Sequence, residues 1–184
     1  MIKYDNVELI PINNNHLTRL IVWLNNTPKS RLRLVEGRNL LDTDDVQALE
    51  NASIDIGKAF FAVICDKSVV GVSTLGPVDW RSRRIPVATF VDPGIESPVE
   101  TESKALRALL AYAFDELGMN KVTTETLLGD AYLSKMYERA GFTHEVRKRN
   151  HYFSEGSYHH VLESSILASE YKDERNISST TGEK

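Results

Sequence analysis

The chain has 184 residues, 41% of them hydrophobic and 26% charged, and its 22 Lys and Arg against 26 Asp and Glu leave a formal charge of -4. That length suits one domain with a continuous core, and no stretch approaches the roughly 18 consecutive apolar residues of a membrane helix, which excludes membrane-spanning, collagen-like and wholly disordered classes. The acidic balance gives no whole-molecule attraction to phosphate backbones or anionic lipid, and so disfavours bulk nucleic-acid binding.

Val7 to Ile12 alternates as a strand, and Leu17, Leu20, Ile21 and Leu24 then recur at helical spacing. The polar segment Leu32 to Ala52, with Leu40, Leu41, Val46 and Leu49, reads as one or two helices. Two β-rich runs, Phe60 to Cys65 and Val69 to Leu75, flank a short turn and form a hairpin. Cys65 is the only cysteine, so no intramolecular disulfide forms. At the end of an apolar strand it reads as a small core hydrophobe rather than a reactive thiol, which needs a polar, electropositive setting. Met1 to Asp5 lacks the apolar centre of a secretory signal, so a cytoplasmic location is expected.

A third antiparallel strand, Ile85 to Val91, follows the loop Asp79-Trp80-Arg81-Ser82-Arg83-Arg84. The longest helix carries Leu106, Leu109, Leu110, Ala113, Phe114 and Leu117 on one face and stops at Gly118. Its start, Ser97-Pro98-Val99-Glu100, has the Ser-x-x-Glu spacing of a capping box with proline at the first helical position. Then come a strand, Lys121 to Leu127, a short helix, Tyr132 to Arg139, closed by Gly141, and two strands, Phe142 to Phe153 and Tyr158 to Leu167, turned by Glu155-Gly156. Residues beyond Tyr171 are almost without apolar side chains and read as a disordered tail, leaving one domain over 1–170 and a tail over 171–184.

This order of elements, together with Asp115 to Val122, Tyr137-Glu138-Arg139-Ala140-Gly141-Phe142 and Phe153 to His159, resembles the GNAT superfamily of acyl-CoA-dependent N-acyltransferases. The likeness is to the branch holding the ribosomal-protein alanine/serine N-acetyltransferases and the PseH-type amino-sugar N-acetyltransferases. The resemblance spans about Val7 to Leu167. It implies an α+β fold whose mixed, largely antiparallel sheet splays between the strands Ile85–Val91 and Lys121–Leu127.

The family holds the coenzyme A pyrophosphate on a glycine-rich turn at the start of the long helix, where bare amides and the helix dipole favour an anion. Here that turn is Ser97-Pro98-Val99-Glu100-Thr101-Glu102, with no glycine between Gly94 and Gly118. Proline removes a donor, capping side chains compete for amides, and two carboxylates add charge that costs on the order of 1 kcal/mol each against a pyrophosphate. The resemblance places acetyl-CoA or another acyl-CoA along Phe90, Val91 and Asp92, against Glu100, Thr101, Glu102 and Ser103, and beside Asp130, where the branch often has asparagine.

By the same resemblance Tyr137 protonates the departing thiolate, a role that suits a phenol whose reach is fixed by packing. A tyrosine on a short amphipathic helix serves a core equally well. Glu125, on one strand face with Thr123 and Leu127, matches a glutamate near the acceptor amine and acts as general base if burial raises its pKa; a solvated strand carboxylate is the plain alternative. The loop bearing Asp79, Trp80, Arg81 and Arg83 lies on the family's acceptor side, where an indole stacks and guanidinium groups pair with anions. Arg149, His151 and Tyr158 match family positions without a settled role.

Adjacent His159 and His160 point to opposite strand faces, so no metal site is expected, and Gly71 to Gly76 lacks the ending of a phosphate-binding P-loop. Two functions compete. One is acyl transfer from coenzyme A to the primary amine of an amino sugar, a peptide N-terminus or a small molecule. The other is a binding, regulatory or assembly module that has lost the coenzyme, or an enzyme served by another acyl carrier such as an acylated carrier protein. Either form admits a protein partner or a homodimer.

Overall fold

A computed structural model describes residues 1–26, 57–154 and 156–171. The helices expected between Leu32 and Ala52, Glu155 of the last turn and the tail after Tyr171 lie outside the described residues. The elements are β1 (Ile2–Tyr4), β2 (Val7–Pro11), α1 (Asn14–Asn26), β3 (Ala59–Cys65), β4 (Ser68–Leu75), β5 (Arg84–Val91), α2 (Pro98–Ala111) continuing as a π-helical turn (Tyr112–Glu116), β6 (Lys121–Leu127), α3 (Ala131–Arg139), β7 (Thr143–Ser154) and β8 (Ser157–Leu167). The short β1, too brief to show alternation, is the one described strand absent from the sequence reading.

All eight strands form one sheet in the order β1-β2-β3-β4-β5-β6-β8-β7, antiparallel except for β5 with β6. A hairpin cannot join a parallel pair, so α2 makes the crossover between them. The β3–β4 hairpin closes through Asp66 and Lys67, both at positive φ (48° and 65°), the two-residue geometry that matches strand twist. Ala105, Leu106, Ala108, Leu109 and Leu110 bury the inner stripe of α2 against Val7, Leu9, Val63, Ile85, Val87 and Val122. The helix ends as expected at Gly118, whose φ of +63° is free of steric cost only without a Cβ. Its last turn is wider than an α-helix, with Leu117 N–H donating to the Tyr112 carbonyl at 3.0 Å. Tyr171 is buried and stacks on Phe114 with ring centroids 4.8 Å apart, so the core extends one residue past the expected domain end.

Candidate active site

The parallel ladder between β5 and β6 covers only Arg84 with Lys121, Ile85 with Val122 and Pro86 with Thr123. Both strands then run on, to Val91 and Leu127, without pairing to each other, and a wedge opens between them as expected. Along β5 the Pro86 carbonyl accepts from Gly76 and the Asp92 N–H donates to Val70, so even-numbered residues spend their backbone groups on the β4 side. The amides and carbonyls of Val87, Thr89 and Val91 therefore point into the wedge. At its mouth the two strands lead into α2 and α3, whose N-termini flank the opening, the usual location of a ligand crevice in parallel strands.

The start of α2 differs from the expected capping box. Ser97 makes no side-chain cap, with φ -133° and ψ 67°, and Glu100 turns instead to Lys104, one turn along the same face, at 2.8 Å. An ammonium holds a carboxylate more strongly than a backbone amide does, which decides the competition. Lys104 also pairs with Asp5 at 2.8 Å and with Asn6 Oδ1 at 3.0 Å, tying the β1–β2 turn to the helix. Hydrogen bonds to Asp5 and Glu100 hold Lys104 well above its ordinary pKa. Glu100 thus stands at the helix start sharing one ammonium with Asp5. Nearby, burial and then the Asp66 carboxylate push the Cys65 thiol up, away from the reactive range.

Glu102 is 1% exposed, and the Tyr132 hydroxyl donates to its Oε2 at 2.5 Å. One partner stands on the helix that follows β5 and the other on the helix that follows β6, so this bond crosses the mouth of the wedge. Thr101 is buried beside it and Ser103 half-buried. Asp92 accepts from Gly94 N–H at 2.9 Å and shapes the β5–α2 turn, while Asp130 caps α3 by accepting from Leu133 N–H at 3.1 Å. Of Phe90, Val91 and Asp92, only Val91 turns its backbone groups into the wedge, because the even-numbered residues bond to β4; the start of α2, with Pro98 and the buried Glu102, has no glycine.

The two residues expected to carry chemistry lie on opposite faces of β6. Tyr137 is 2% exposed, its ring edge-on to Phe142 at 5.3 Å and 62°. It packs with α3 over the face that carries Val122, Thr124 and Thr126, and α3 is pinned there by His144, which bonds Ser164 at 2.7 Å and Glu138 at 2.9 Å. The hydroxyls of Thr124 and Thr126 are buried with no hydrogen-bond partner, an arrangement that leaves two polar atoms available under α3. Glu125 occupies the other face and accepts from Lys148 Nζ at 2.6 Å. The same ammonium pairs with Glu163, the cross-strand partner of Glu125 on β8. Burial pushes Lys148 down, and its hydrogen bonds to Glu125 and Glu163 outweigh that and hold it above its ordinary pKa.

The loop from Asp79 to Arg84 lies at the closed end. Asp79 and Arg84 exchange backbone bonds of 2.9 and 3.0 Å, and the Arg83 carbonyl accepts from Asn120 and Lys121 at the start of β6. Hydrogen bonding from Ser82 holds the Asp79 carboxyl below its ordinary range. Seven residues of strand, roughly 23 Å, separate this loop from the mouth. Trp80, Arg81 and Arg83 are exposed there and do not join Tyr137 and Glu125 in one site. Arg149 and His151 stand in the bulge of β7 and Tyr158 is exposed beyond it, packed edge-on to Phe153. Tyr132, Lys148 and Glu163 are the residues that sequence reasoning missed, since nothing local marks them. No helix among the described residues is long and apolar enough to cross a membrane.

No family model matches the chain. Over 113 residues it is 26% identical to the Putative ribosomal N-acetyltransferase YdaF of Bacillus subtilis (strain 168), a match that spans 61% of this chain and 61% of that relative. Among solved structures it is similar to the spermidine N-acetyltransferase of Vibrio cholerae in complex with CoA and spermine, with a TM-score of 0.75 and 21% identity over 91% of this chain and 98% of the other. The dodecameric form of a spermidine N-acetyltransferase from the same organism gives a TM-score of 0.73 at 21% identity, over 90% of this chain and 96% of the other. The splayed β5–β6 pair, the crossover helix and the closing β7–β8 hairpin are thus those of the GNAT fold, and the chain has that fold.

Proposed function

We propose that the protein is a GNAT-type N-acyltransferase that moves an acyl group, acetyl in the simplest case, from a pantetheine thioester such as acetyl-CoA to a primary amine. The observation that carries this reading is the wedge between β5 and β6, with Glu125 on one face of β6 and the packed Tyr137 phenol over the other. A bound donor supplies a thioester carbonyl. The Thr89 and Val91 amides point to where that carbonyl lies and favour the charge that develops on its oxygen. The amine nitrogen attacks the carbonyl carbon, the C–N bond forms and the C–S bond breaks. Glu125 takes the proton the amine loses, and the Tyr137 hydroxyl gives one to the sulfur. The names of the curated relative and of the structural neighbour, the latter bound to CoA and spermine, support an amine acceptor and an acyl-CoA donor. Amino sugars, peptide N-termini and polyamines all present the required group.

Thiol release from acetyl-CoA, measured with a panel of glucosamine, a free-N-terminus peptide and spermine, tests this reading. At least one acceptor is expected to raise release by about tenfold or more over hydrolysis, well within the 10²–10⁴ that acid–base groups supply. No acceptor-dependent release from acetyl-CoA or S-acetylpantetheine would overturn it. The Glu102–Tyr132 bond across the mouth favours the second reading, a GNAT-fold binding module without coenzyme, and that result would select it.

A further inference from the structure

The cluster of Glu125, Lys148 and Glu163 contains two charged groups to which the reaction above gives no part. Glu125 and Glu163 are direct cross-strand partners, an arrangement of like charges that weakens a sheet unless something intervenes. Lys148 intervenes from β7, at 2.6 Å from Glu125 and in contact with Glu163, from a position beside the register shift between Lys148 and Tyr152. These side chains are 18–34% exposed, too covered for bulk solvent to neutralise the charges.

We propose that Lys148 is the positioning residue for Glu125, one ammonium clamped between two carboxylates so that Glu125 stays ionised, with Glu163 setting how much of that charge Glu125 receives. The assignment rests on the reading of Glu125 as base to the acceptor amine. Among the described residues Glu125 faces Lys148 from β7 and Glu163 from β8. The next pair along that face, Lys121 with Glu145, is joined to itself at 2.6 Å.

The signs follow from the charges. A base works unprotonated, so loss of the cation shifts the acidic limb of the kcat profile to higher pH, and loss of the opposing carboxylate shifts it to lower pH. In the intact protein at saturating amine, Lys148→Met is expected to raise that limb by about one pH unit. Glu163→Gln is expected to lower it by roughly half a unit, and Lys148→Arg to keep the wild-type profile. Thermal unfolding of each variant separates a lost fold from a moved limb. A merely structural Lys148 would lower Tm and activity at every pH with the limb in place. Unmoved limbs in both Lys148→Met and Glu163→Gln, or shifts of the same sign, would overturn the assignment. A wild type that acylates no amine would instead remove the reaction, and the assignment with it.

Discussion

Replacing Tyr137 by phenylalanine is expected to lower kcat for acyl transfer by about 10²-fold or more, the usual contribution of a positioned proton donor. The donor KM should stay within a few-fold. The substitution is informative because it separates chemistry from packing. Tyr137 is 2% exposed and lies edge-on to Phe142, and a phenyl ring keeps that contact. Loss of a hydroxyl interaction costs about 1 kcal/mol, so Tm should fall by no more than roughly 2–4 °C. Tyr137→Ala would open a cavity costing roughly 3–5 kcal/mol and confuse the two effects. Steady-state kinetics with thermal unfolding on the same preparation make the check. An unchanged kcat at all pH values would remove Tyr137 from the chemistry.

Gly71→Ala should give the second large effect, on stability and on the wedge together. A Cβ at this position of β4 would lie 2.2 Å from the Phe90 carbonyl oxygen and 2.9 Å from Val91 Cα. Both obstacles are backbone, so relief requires β5 to shift off β4 rather than a side chain to rotate. Overpacking of this kind costs about 3 kcal/mol, which lowers Tm by roughly 6–12 °C for a chain of this size. The displaced strand is the one whose Thr89 and Val91 amides face the wedge, so donor affinity should fall as well. Thermal unfolding followed by calorimetry reads both. A Tm within roughly 2 °C of wild type would mean that the two strands have slack that their close approach does not suggest.

Most of the fold was legible because it is written in local patterns. The stripe Leu106, Leu109, Leu110 and Ala113, the stop at Gly118, the alternation of β2 and the β-rich runs of β3 and β4 each depend on residues within one element. The family resemblance carried by the order of those elements and by their motifs then implied the splay, which the short Arg84–Pro86 ladder bears out. Tyr137 and Glu125 were candidates only through the family resemblance. Their companions depend on register across three strands, including a bulge in β7, and no local spacing reveals that Lys148 reaches two carboxylates. The capping box failed for a related reason: Ser97 and Glu100 have the right spacing, but Lys104 is a stronger partner for the carboxylate. The place of the Trp80 loop was implicit in chain direction, since a loop that precedes a strand and a helix that follows it stand at opposite ends.

The wedge as a thioester site is tested most directly by titration calorimetry of the purified protein with acetyl-CoA and, in parallel, with S-acetylpantetheine, which lacks the nucleotide and its phosphates. On the proposed reading the β5 amides serve the pantetheine arm while Pro98 and Glu102 leave the start of α2 without a pyrophosphate cradle, so both are expected to bind. Their affinities should lie within about tenfold, a difference of roughly 1.4 kcal/mol. Failure of both ligands to bind, or a preference for acetyl-CoA greater than about 100-fold, would contradict that assignment of the wedge.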